Sequence, residues 1–114
     1  MRLIYKILTQ PEWDSARAKG VFEGSAVDLQ DGYIHFSAAD QAAETARRHF
    51  SGIPNLLLLA VQAEALGPAL KWEPSRGGAL FPHLYGPLDP ALVVEARAAP
   101  LGPDGAPDLG VLAS

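Results

Sequence analysis

Two short segments of this chain hold residue types suited to proton transfer and ligand recognition. DGYIHFS sets His35 between Tyr33 and Ser37, and KWEPSRGGALFPHLYG gathers Glu73, Arg76, His83 and Tyr85. Histidine is the side chain whose ordinary titration lies near neutral pH, so it serves as acid, base or hydrogen-bond partner to hydroxyls. In extended chain the period of two puts Tyr33, His35 and Ser37 on one face, with Ile34 and Phe36 on the other. His83 and Tyr85 alternate in the same way. A polar face leading into a helix N-terminus suits an anion or phosphate. Arg76 offers a planar fork that pairs with phosphate.

Each residue also has an ordinary structural reading. His35 can be a half-buried strand histidine satisfied by one hydrogen bond. Ser37 has the position of a helix N-cap, a duty compatible with binding. Gly77 and Gly78 read as a turn, since no P-loop pattern surrounds them. Glu73 fits an acid or base, an orienting carboxylate, or an exposed strand residue. The remaining histidine, His49, sits beside Arg48 late in a helical stretch, where the helix dipole accounts for it. There is no His-x-x-x-His spacing and no cysteine, so no metal site is read here. A Gly-x-Ser-x-Gly nucleophile elbow is also missing.

The elements that must position these residues follow from pattern. RLIYKIL reads as a first strand. Thr9 and Glu12 have capping-box spacing, Pro11 suits a first turn and Gly20 a stop, so a helix is expected over 10–19. VFEGSAVDLQDG reads as irregular chain. YIHFS is a second strand. The alanine-rich stretch after it predicts a second helix over 38–50, with Ser37 as N-cap and Gly52 as stop. NLLLLAVQA is apolar enough for a strand buried on both faces. ALKWEPS, LFPHLYG and ALVVEARAA complete the strands. The expected fold is α+β: a single domain with a sheet and two main helices. Residues 1–99 make the domain. Residues 100–114, rich in Gly, Pro and Asp, read as a tail draped on the surface or disordered.

The chain has 114 residues, 48% of them hydrophobic and 19% charged, with a formal net charge of −4. This balance argues against bulk nucleic acid as a partner, which calls for a basic patch. The N-terminal apolar run is too short for a signal peptide, and no stretch is long enough to span a bilayer, so the expected location is the cytoplasm.

The segments IYKI, DGYIHFS, LLLLAV, LKWEPSRGGALFPHLYGPL and a final VV together resemble the bacterial and plant domain-of-unknown-function family 952, over about residues 2 to 97. The resemblance implies the ADP-ribosyltransferase-like fold group, which includes RNA 2′-phosphotransferases. Its split mixed sheet has a cleft that holds NAD in the active enzymes. It implies cleft residues on the first strand, where this chain has Tyr5 and Lys6 and no histidine. It implies a second motif matched by His35 and Ser37, and a late glutamate, for which Glu73 and Glu95 both qualify.

Three readings follow. The first is an enzyme on NAD or an ADP-ribose-type nucleotide, a transferase or glycohydrolase. In it His35, Glu73 and His83 are catalytic, and Tyr33, Ser37, Arg76 and Tyr85 bind the ligand. NAD would then be substrate; no resident cofactor is read. The second is a nucleotide or small-molecule binding module without turnover. The third is a structural or interaction domain with FPHLYGP as a rigid aromatic loop. Convergence of the named residues around one cleft separates the first two from the third.

Overall fold

The first helix forms where the sequence predicts it. Strand β1 (Leu3–Thr9) runs into α1 (Gln10–Lys19), and Thr9 caps the helix. The Thr9 hydroxyl accepts from the Glu12 N–H, and the Glu12 carboxylate accepts from the Thr9 N–H. Gly20 ends α1 in the left-handed region, at φ 83°. The computed structural model describes residues 2–114, without the side chain of Arg76.

Helix α2 (Ala26–Asp31) occupies the stretch that reads as irregular. It has six residues, and its Val27 and Leu29 are exposed, so it has no apolar stripe for a periodicity to reveal. The helix expected over 38–50 is shorter, α3 (Ala42–His49). Ser37 and Ala38 are drawn into a strand instead. Gln41 stands at the N-cap, and its Oε1 accepts from the Ala38 N–H. Ser37 therefore does not cap the helix; its hydroxyl donates to Thr45 Oγ1 at 3.1 Å.

The remaining strands are β2 (Ile34–His35), β3 (Ser37–Ala38), β4 (Leu56–Gln62), β5 (Leu70–Pro74), β6 (Leu80–Leu84) and β7 (Val93–Ala98). One sheet has the order β3-β1-β4-β7 and the other β2-β6-β5. The fold is α+β with two sheets, but every neighbouring pair among the described strands is antiparallel, not mixed. No crossover returns a strand parallel to its neighbour.

The two sheets part at Phe36. His35 pairs with His83 of β6, whereas Ser37 pairs with Tyr5 of β1. The chain thus leaves one sheet and enters the other within three residues, alongside Lys6 and Ile7.

β1 and β4 are buried on both faces, as the LLLLAV run requires. Ile4, Leu8, Leu57, Leu59 and Val61 meet Ile34 and Leu84 of the second sheet, with Trp13 of α1. Tyr5, Ile7, Leu56, Leu58 and Ala60 meet Ala42 and Ala46 of α3. Leu109 joins this second layer, and the Val111 carbonyl accepts from Arg97 Nη2 at 3.0 Å. Tyr5 donates its hydroxyl proton to the Ala113 carbonyl. The segment from Pro100 onward thus packs against the four-stranded sheet. Among the described residues no helix is long and apolar enough to cross a membrane.

Candidate functional site

The three-stranded sheet has one apolar and one chemical face. Ile34, Leu70, Trp72 and Leu84 pack toward the core. By the period of two, the opposite face carries His35 on β2, Phe81 and His83 on β6, and Lys71 and Glu73 on β5. His83 stands opposite both His35 and Lys71 in register. The His35 and His83 rings lie 5.6 Å apart, edge to face.

Each ring is held by its own carboxylate. His35 Nδ1 is 2.6 Å from Asp28 Oδ1, and His83 Nδ1 is 2.8 Å from Glu73 Oε1. A carboxylate on Nδ1 fixes the orientation of each ring; the His35 Nε2 in turn meets Asp31 Oδ2 at 2.9 Å. His83 is buried, and Tyr33 stacks on it with 4.1 Å between centroids. Tyr33 also touches His35 and Tyr85, at 4.6 and 5.2 Å, so four rings form one cluster.

Asp28 organises one side of this cluster. It is 1% exposed and accepts from Lys6 Nζ at 2.8 Å, from the Ser25 N–H at 2.9 Å and from the His35 N–H at 3.1 Å, besides meeting the ring. Burial works against its charge. The His35 hydrogen bond and the Lys6 ammonium outweigh burial and hold its pKa at about 2. Burial lowers the Lys6 pKa, and the neighbouring Asp28 carboxylate opposes that shift. Gly24 is required beside Asp28: its φ is +123°, and an added Cβ would sit 2.8 Å from the Asp28 Cβ.

Glu73 organises the other side. Its Oε1 meets His83 Nδ1 and accepts from the Tyr85 hydroxyl at 2.7 Å, and these two bonds lower its pKa. The bond to Glu73 is also the main reason the Tyr85 pKa is raised. For Tyr33, burial raises it first, followed by the charges of Asp31, Glu73 and Asp28. Lys71 Nζ lies 5.3 Å from the Tyr85 ring centre.

A cleft of about 400 Å³ opens where the sheets part. Lys6, His35, Ser37, Thr45, His49, Ser75 and His83 are among its polar lining, so all three histidines of the chain reach it. Phe36, Phe50 and Phe81 supply apolar wall. A second depression, of about 610 Å³, lies between Ala39 and Ala43 and the C-terminal segment. Among the described residues Asp104 and Asp108 are its only titratable lining.

Of the residues singled out from sequence, His35, Ser37 and His83 line the cleft, and Tyr33, Glu73 and Tyr85 join the two histidines in one bonded and stacked cluster. The Arg76 side chain lies outside the described residues. Glu95 is on β7, at the far edge of the other sheet from β3, so of the two glutamates only Glu73 belongs to this cluster. Sequence reasoning missed Asp28, Asp31 and Thr45, and read His49 only as a dipole partner. Ser25 and Asp28 do have capping-box spacing, a signal available in GSAVD. Among the described residues no group of three or more His, Cys, Asp or Glu is arranged to hold a metal ion.

The arrangement can move protons: two imidazoles on one face, each oriented by a carboxylate, can act as acid and base on a bound ligand. No curated protein matches the chain significantly. The crystal structure of protein CC0527 from Caulobacter crescentus is 61% identical, covers 95% of each chain and has a TM-score of 0.93. Its solution NMR structure is likewise 61% identical, over 96% of this chain and 95% of that one, with a TM-score of 0.87. The profile described as "Protein of unknown function (DUF952)" matches residues 7–96, and the chain belongs to that family.

Proposed function

We propose that the cleft binds a nucleotide of the NAD or ADP-ribose type, and that His35 and His83 act on it as an acid–base pair in a transferase or glycohydrolase reaction. One observation supports this above the others. Two histidines stand on directly paired strand positions, with rings 5.6 Å apart and a separate carboxylate on each Nδ1. A structural role for either ring needs one hydrogen bond and no second carboxylate-backed imidazole beside it. In this reading Glu73 orients His83, Ser37 contacts a ligand hydroxyl, Tyr33 and Tyr85 frame the site, and Arg76 takes a phosphate. The split sheet with a cleft at the parting point accords with an ADP-ribosyltransferase-like architecture.

Calorimetry of the full chain against NAD, ADP-ribose and AMP tests binding. Nicotinamide release and phosphate release then test turnover. Binding that is lost in His35→Ala and His83→Ala, with both variants folded, supports the reading. Wild-type protein that binds none of the three overturns it. The packing of Tyr33 against His83 favours a second reading, a binding module without turnover, because it leaves that ring tightly enclosed. Tight binding with no product from any of the three would favour that module.

A further inference from the structure

We infer that His35 Nε2 is an oxyanion-binding position, filled by Asp31 in the free protein and taken over by a phosphate or carboxylate of the ligand. The inference deepens the proposed function and rests on its reading of the cleft as a ligand site.

His35 is engaged on both sides. Its Nδ1 meets Asp28 Oδ1 at 2.6 Å, and its Nε2 meets Asp31 Oδ2 at 2.9 Å. A neutral imidazole has one N–H, so only a doubly protonated ring donates to both carboxylates. An N–H at Nε2 facing a carboxylate is a donor that any oxyanion can use.

The two carboxylates are not equivalent. Asp28 is 1% exposed and tied by Lys6 and two backbone N–H groups, so it stays in place. Asp31 is 39% exposed and ends the six-residue helix α2, just before left-handed Gly32. An exposed ion pair of this kind contributes little and yields readily to a competitor. Asp28 therefore reads as the fixed partner and Asp31 as the exchangeable one. His35 itself lines the cleft, though Asp31 does not, so a ligand held there borders the ring and would have to displace Asp31 to engage Nε2. A carboxylate already seated on Nε2 shows the class of group this nitrogen accepts.

Asp31 on this account weakens anion binding, by occupying the donor and by repelling an incoming charge. The test uses ¹⁵N-histidine-labelled full-length protein, titrated separately with inorganic phosphate and with acetate, reading the His35 Nε2 resonance. Asp31→Ala and Asp31→Asn are compared with wild type. Glu95→Gln, at the far edge of the other sheet, controls for the loss of one negative charge. Asp31→Ala should bind phosphate about two- to fivefold more tightly than wild type, with the change centred on His35. Glu95→Gln should match wild type. A response to phosphate alone assigns the position to a ligand phosphate; an equal response to acetate assigns it to oxyanions generally. Equal affinity in wild type and Asp31→Ala, or a response away from His35, overturns the inference. If nucleotides bind wild type and Asp31→Ala equally, this inference falls and the proposed function stands. If phosphate binds His35 in Asp31→Ala while no nucleotide binds any variant, the proposed function falls and the anion position stands.

Discussion

Asp28 and Lys6 form a buried ion pair: the carboxylate is 1% and the lysine side chain 5% exposed, with 2.8 Å between Oδ2 and Nζ. Such a pair is tolerated only when its remaining lone pairs are satisfied, and here His35 and the Ser25 N–H do that. It joins β1, in the four-stranded sheet, to α2, which leads into β2 of the other sheet. The same carboxylate therefore fixes His35 and ties together the two sides of the cleft.

Asp28→Asn should destabilise the protein by about 3–5 kcal/mol, because it leaves Lys6 charged and buried without a counter-charge. Adding Lys6→Met should recover much of that loss, since an apolar side chain of similar length needs no partner. Urea denaturation of the single and double variants checks this. A double variant no more stable than Asp28→Asn would locate the loss in the His35 contact instead.

The same carboxylate sets an acid limit. Its pKa lies at about 2 in the folded protein, against an ordinary value of 3.8. A carboxylate whose pKa is lowered by folding stabilises the folded state above the unfolded value, and that contribution is lost as pH falls through the folded one. Wild type should hold the contribution above about pH 4 and lose about 2 kcal/mol of it between about pH 4 and pH 2. Asp28→Asn should show a flatter profile over that window. Parallel melts at stepped pH decide the matter; identical slopes in the two proteins would remove Asp28 as the cause.

Elements with a strong periodic or capping signal were legible in the sequence. Thr9, Glu12, Pro11 and Gly20 mark both ends of α1, and the run from Leu56 to Val61 marks a doubly buried strand. Tyr33 with His35, and His83 with Tyr85, were legible as same-face pairs because alternation places them together, and the structure gathers these four rings in one cluster. Three features were not. The antiparallel arrangement depends on which strands meet, and no local pattern encodes that. The start of α3 shifted because β3 pairing with β1 overrides the helix propensity of Ala38. Asp28 escaped notice because α2 is short and lacks an apolar face, while its partners Lys6 and His35 lie 22 and 7 residues away.

The C-terminal segment is a structural part of the domain. Leu109 is 6% exposed and packs with Tyr5, Ile7, Leu56 and Leu58 on the four-stranded sheet. Leu109→Ala should destabilise by about 2–3 kcal/mol, combining lost burial with the cavity left behind. Val111→Ala, at a position 92% exposed, should change stability by less than about 0.5 kcal/mol. Chemical denaturation of both variants tests the contrast. Equal stability for Leu109→Ala and wild type would show the segment to be dispensable to the core.

Glu73 and His83 separate orientation from charge. In the proposed reaction His83→Ala removes a proton-transferring group and should lower turnover about 100-fold or more. Glu73→Ala leaves the ring in place but removes the acceptor on Nδ1, so a smaller loss is expected. Glu73→Gln keeps an oxygen able to accept from both His83 and Tyr85 while discarding the negative charge. If the carboxylate only aims the ring, Glu73→Gln should stay close to wild type and Glu73→Ala should not. If it also stabilises a positively charged His83 during proton transfer, both variants should fall together. Glu73 is about a third exposed, so neither change should unfold the protein, and a melt of each variant verifies that. Turnover in His83→Ala equal to wild type would remove His83 from the chemistry.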